Sequence, residues 1–96
     1  MSESVPAFVA IGDGVLYQKI QNEVILLNMD NQQYYGLNEA GAEFLDSLIE
    51  LKSVAAAESR LSSSFDADDA SISEDLRKFV SELIGAGLLK GAEPNN

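Results

Sequence analysis

The chain has no cysteine and no histidine. Without cysteine it can form neither disulfides nor thiolate metal sites, which fits a reducing cytoplasm. Without histidine it lacks the commonest general base and the commonest transition-metal ligand, and Ser-His-Asp and Cys-His mechanisms are excluded. Basic residues are scarce as well. Lys19, Lys52, Arg60, Arg77, Lys78 and Lys90 stand against 16 acidic residues, for a net charge of −10. Nucleic-acid binding needs cations that displace counterions from phosphates, and six scattered ones argue against it. No hydrophobic run is long enough to cross a membrane. Met1-Ser2-Glu3-Ser4 lacks the basic region of a signal peptide. These absences predict a cytoplasmic, non-enzymatic protein without cofactor or metal, whose carboxylates form solvated faces rather than acid–base pairs.

What is present is one domain's worth of chain, 96 residues with 46% hydrophobic content, enough for a modest core. Phe8-Val9-Ala10-Ile11 is apolar and stops at the turn signal Gly12-Asp13-Gly14. It reads as a short strand or as an extended segment lying over a sheet. Val15–Ile20, then Glu23–Met29 and Gln33–Leu37, are rich in β formers and are separated by Gln21-Asn22 and Asp30-Asn31-Gln32. Turns this short predict an antiparallel meander with the third strand at an edge. Val24–Leu27 is apolar without alternation, the pattern of a strand covered on both faces. Helices would cover one face, and Phe8–Ile11 or a second subunit the other.

Asn38 is a good N-cap for an amphipathic helix over Glu39–Leu51, in which Phe44, Leu45, Leu48 and Ile49 share a face. Ser53 caps a second, shorter helix, and Ser62-Ser63-Ser64 with Asp66-Ala67-Asp68-Asp69 reads as an acidic loop. A third helix is predicted from Ser71 or Ser73, with Ser71 and Glu74 forming a capping box. Gly85 and Gly87 stop it, and Leu88-Leu89 folds back onto the core. The expected fold is α+β: a three-stranded antiparallel meander followed by three helices. Residues 14–90 form the domain, between an N-terminal extended segment, 1–13, and a disordered tail, 91–96.

Three helices beside a small sheet also describe a winged helix-turn-helix DNA binder. A DNA-reading helix is basic at its exposed positions, whereas the third helix here carries Glu74, Asp75 and Glu82 against Arg77 and Lys78. The edge of the third strand offers another function. Gln33-Tyr34-Tyr35-Gly36-Leu37 has neither the charge nor the proline that usually blunts an edge, so an extended peptide can add there as a fourth strand. Equally, Tyr35 and Leu37 can be ordinary core residues beneath a covered edge.

The segment Leu26-Leu27-Asn28-Met29, followed by Gln33-Tyr34-Tyr35-Gly36-Leu37-Asn38-Glu39-Ala40-Gly41, resembles the PqqD-like pattern of an LL strand, a turn, an aromatic pair and a Leu-Asn helix entry. Glu74-Asp75-Leu76 with Phe79, Leu83 and Gly87-Leu88-Leu89 is similar to that family's ending. The resemblance spans residues 14–90. It implies a recognition element for ribosomally made, post-translationally modified peptides. Such a protein binds the leader of a precursor by strand addition, in a cleft against the third helix. The Tyr-Tyr-Gly-Leu-Asn version looks most like the leader-binding protein of split lasso-peptide systems, whose partners are a leader peptidase of the cysteine-protease type and an ATP-dependent cyclase. An adaptor for a radical-SAM enzyme, as PqqD itself is, and a winged-helix regulator are the alternatives. Carried over by position, Gln33, Tyr34, Tyr35 and Leu37 supply the edge and part of the pocket wall. Ile72, Leu76, Phe79, Val80 and Leu83 lie on the matching helix, most of them as core. Asp69 and Asp75 are placed to meet a basic leader residue, although capping or solvation is the plainer role for both.

Overall fold

The computed structural model describes residues 5–66 and 68–93. The elements run β1 (Val9–Ile11), β2 (Val15–Ile20), β3 (Glu23–Asn28), β4 (Gln33–Leu37), α1 (Glu39–Leu51), α2 (Val54–Phe65), α3 (Asp69–Gly85) and β5 (Leu89–Gly91). The α+β expectation holds: β2, β3 and β4 form an antiparallel sheet in that order, and three helices follow. Gln21, at φ 58°, makes the tight β2–β3 turn, and Gln32, at φ 60°, closes the β3–β4 turn. Within that second turn Asn28 Oδ1 accepts from the Asp30 N–H and Asn31 Oδ1 from the Gln33 N–H.

Asn38 caps α1, its Oδ1 accepting from Gly41 N at 2.9 Å, and Ser53 caps α2, its Oγ accepting from Ala56 N at 3.1 Å. The start of α3 departs from the expected capping box. The helix begins at Asp69 with Asp68 as N-cap, and the Ser71 hydroxyl donates to the Asp68 carboxylate instead of capping the backbone. The first-turn acids favour this earlier start through the helix dipole. Ser62, Ser63 and Ser64 belong to α2 and not to a loop. Leucine and aromatic packing on either side outweighs the weak helix preference of serine. Ala67 of the expected acidic loop lies outside the described residues.

Val24 and Leu26 of β3, Leu45 and Leu48 of α1, Ala57 and Leu61 of α2, and Leu76, Val80 and Leu83 of α3 form the core. Leu88 and Leu89 fold back into it as expected. The terminal segments were the least legible part. β1 pairs antiparallel with β5, Val9 opposite Gly91 and Ile11 opposite Leu89, in a two-stranded ribbon separate from the main sheet. The Val9 N–H donates to Lys52 O, the Val54 N–H to Ala7 O and the Ala92 N–H to Phe8 O, so the N-terminal segment lies between the α1–α2 junction and β5. It does not cover the sheet, and Gly91, expected in the tail, ends β5. Residues 1–4 and 94–96 lie outside the described residues.

β3 therefore alternates after all. Val24, Leu26 and Asn28 face the helices and are buried, while Ile25 is exposed and Leu27 half-buried on the other side. The run looked doubly covered because its outward positions carry Ile and Leu as well.

Candidate functional site: the β4 edge and the α1–α3 cleft

The sheet has two edges, and they are built differently. On β2, Lys19 stands opposite buried Val24 and therefore points to the helix side. Its ammonium pairs with Asp46 of α1 at 3.0 Å, and the Tyr17 hydroxyl donates to the same carboxylate at 2.5 Å. Burial first, then the hydrogen bond and the negative charge of Asp46, push the Tyr17 phenol up to about 12. An inward-pointing charge on an outer strand discourages pairing with another chain. β4 has no such guard. Its helix-facing residues are Gln33, Tyr35 and Leu37, in register with Asn28, Leu26 and Val24.

The direction of the β4 backbone groups follows from one bond. The Met29 N–H donates to Gly14 O at 2.9 Å, so residue 29 points toward β2. Antiparallel alternation then turns Leu27 and Ile25 toward β2, and Asn28, Leu26 and Val24 toward β4. Their partners Tyr35 and Leu37 spend their backbone groups on β3, while the Gln33 N–H goes to Asn31 Oδ1 in the turn. Tyr34 and Gly36 direct theirs away from the sheet. Gln33, Tyr34 and Gly36 are exposed, and nothing lies within 4 Å of the position a Gly36 Cβ would take. Tyr35 and Leu37 are half-buried against the core, which fits both the edge role and the core role weighed from sequence.

Leu37 connects this edge to a cleft. Its Cβ would lie 3.3 Å from a Cβ on Gly41, and Gly41 lines an opening of about 330 Å³ between α1 and α3. Ala40 and Phe44 complete the α1 wall; Asp75, Lys78, Phe79 and Glu82 form the α3 wall. Phe44 sits edge-on to both Phe79, at 5.5 Å between ring centroids, and Phe65, at 5.8 Å. The cleft is thus aromatic at its centre, with two carboxylates and one ammonium on its α3 wall. It suits an extended peptide that brings apolar anchors and a basic residue.

The sequence-predicted residues divide accordingly. Phe79 and Asp75 line the cleft; Gln33, Tyr34, Tyr35 and Leu37 make the edge. Ile72, Leu76 and Val80 are buried in the core, as is Leu83, and leave the candidate surface. They follow the i, i+4 stripe that packs α3 onto α1 and α2, so a residue can sit on the right helix and still be turned from the cleft. Asp69 is exposed in the first turn of α3 and is not among the cleft-lining residues. Sequence reasoning missed Ala40, Gly41, Lys78 and Glu82 and gave Phe44 only to the core. The signal was Gly41 itself, a glycine in the first turns of a helix, where it costs up to about 1 kcal/mol unless something must approach closely.

Among protein families, residues 23–89 match the model for coenzyme PQQ synthesis protein D (PqqD). No curated protein matches the chain. Among solved structures, TbiB1 in complex with the TbiA(β) leader peptide superposes with a TM-score of 0.81 at 28% identity, covering 88% of this chain and 98% of that one. A lasso peptide synthetase B1 complexed with its leader peptide gives a TM-score of 0.79 at 19% identity over 88% of this chain and 99% of that one, a likeness of fold alone.

Proposed function

This chain belongs to the PqqD family, and we propose that it binds the leader segment of a ribosomally synthesised precursor peptide in lasso-peptide biosynthesis. The observation that carries the reading is the β4 edge, where Tyr34 and Gly36 hold their backbone groups outward beside the α1–α3 cleft. A leader adds there as a strand. Backbone hydrogen bonds supply affinity, and every second side chain turns toward the cleft, where apolar anchors meet Phe79 and a basic residue meets Asp75 or Glu82. TbiB1, at 28% identity, is a protein whose structure holds a leader peptide.

The protein itself performs no chemistry in this reading. It works in the cytoplasm and presents the bound precursor to a leader peptidase of the cysteine-protease type, with a cyclase acting afterwards. A calorimetric titration with the leader peptide of a lasso-peptide precursor tests the proposal. Saturable one-to-one binding is expected, and absence of heat and of competition at any salt concentration would refute it.

A further inference from the structure

The backbone of β2 is as available at its outer edge as that of β4. Leu16 and Gln18 stand opposite Leu27 and Ile25, which turn toward them, so Tyr17 and Lys19 direct their N–H and C=O groups away from β3. Among the described residues neither finds a backbone partner on that side. The helix-facing rows of the sheet match end to end. One reads Tyr17–Leu26–Tyr35 and the other Lys19–Val24–Leu37, so Tyr17 and Lys19 hold on β2 the places that Tyr35 and Leu37 hold on β4. What differs is the space beside the edge. At β2 the Tyr17 hydroxyl and the Lys19 ammonium both reach the Asp46 carboxylate on α1, at 2.5 and 3.0 Å. This bridge stands between two openings. One, of about 480 Å³, has Ile11, Tyr17 and Ile49 in its walls; the other, of about 260 Å³, has Lys19 and Ala42. Asp46 lines both, so the bridge divides the trough between β2 and α1 into two halves.

We propose that the Tyr17–Asp46–Lys19 bridge determines specificity: it keeps the β2 edge from accepting a strand, so that the sheet takes one peptide, and takes it at β4. The inference rests on the leader-binding reading for what β4 receives, and adds why the other edge refuses it. A strand added to β2 turns every second side chain toward the trough, where the bridge already stands. Making room there parts Lys19 from Asp46 and leaves a charge without its partner beneath the added strand. The bridge also governs assembly. The β4 edge of one copy laid on the β2 edge of the next is a head-to-tail contact that does not close, and it grows into a filament. With β2 locked, the chain keeps an edge for a peptide and cannot grow in this way.

The test compares the full chain with its double variant Lys19→Thr/Asp46→Ala. One charge of each sign is removed, so the net charge of −10 is unchanged, and threonine keeps a β former at residue 19. Circular dichroism confirms that the variant is folded. The wild type is expected to sediment as a monomer and to bind one leader peptide of a lasso-peptide precursor per chain. The double variant is expected to sediment faster as its concentration rises, because its β4 edge pairs with the β2 edge of another copy. Adding Tyr34→Pro, or saturating with the leader peptide, should each reverse this. Calorimetry with excess leader should count two peptides per chain in place of one. Lys19→Arg keeps the bridge and should behave as the wild type. A folded double variant that stays monomeric and binds a single leader overturns the inference, as does association that survives Tyr34→Pro. Edge-dependent association of the variant, with no leader binding by the wild type, overturns the leader-binding reading and leaves the lock standing.

Discussion

The side-chain amide of Asn28 donates to the carbonyl oxygen of Ala86 at 3.3 Å, tying the middle strand of the sheet to the end of α3. Asn28 is buried, and its Oδ1 also holds the β3–β4 turn through the Asp30 N–H. Gly87, at φ +75°, makes room for this tie, since a Cβ there would sit 2.8 Å from Asn28 Nδ2. Asn28→Ala leaves the Ala86 carbonyl and the Asp30 amide without their partner and is expected to cost about 1–3 kcal/mol. Gly87→Ala adds left-handed strain of about 1–2 kcal/mol to that clash. The two changes share one contact, so urea titrations of a double-mutant cycle should show the second costing less in the background of the first.

Proline separates the two faces of the β4 backbone. Tyr34→Pro removes an outward N–H and spares the ladder with β3, so the protein should stay folded and lose leader binding. Tyr35→Pro removes a donor paired to Leu26 and should destabilise the domain by about 1–3 kcal/mol. Circular dichroism and leader titration on both variants check the expectation. A folded Tyr34→Pro protein with normal leader affinity means that the leader does not add as a strand.

Phe79 and Ile72 lie on one helix and should behave differently. Phe79→Ala loses the edge-on contact with Phe44, worth about 0.5–1.5 kcal/mol, and opens the cleft wall, so leader affinity should fall at temperatures where the variant is folded. Ile72→Ala deletes a core side chain at about 2–5 kcal/mol. Its folded fraction should bind leader as the wild type does. Equal losses of affinity for the two folded variants would place the binding surface elsewhere.

Tyr17 gives a spectroscopic handle on the guarded edge. Its phenol is pushed up to about 12, from an ordinary value of 10, by burial first and then by the hydrogen bond and charge of Asp46. A raised folded-state value means that the stabilising contribution is complete below pH 10 and fades as pH rises through about 12. Ultraviolet titration of tyrosinate should show this late transition. It should be absent in Tyr17→Phe and move toward the ordinary range in Asp46→Asn.

The main sheet and helices were legible because short turns dictate antiparallel neighbours and because Asn38 and Ser53 are strong local caps. Two things were not. β1 and β5 have three residues each, and their pairing depends on where α1 and α3 deliver the chain ends, which no local pattern records. The cleft was half visible. Periodicity found the helix that carries Phe79, but the same periodicity made Ile72, Leu76 and Val80 look equivalent to it. Only the rotation of α3 against α1, set by the Phe44–Phe79 contact, tells them apart.

The β1–β5 ribbon also bears on how the fold is completed. β1 emerges from the ribosome long before β5 exists to pair with it, and nearly the whole domain must be made before Val9 can meet its partner opposite Gly91. Closing so long a loop is entropically slow, so the meander and helices assemble first and the ribbon last. Until then Val9, wholly enclosed in the finished molecule, has only the α1–α2 junction to pack against.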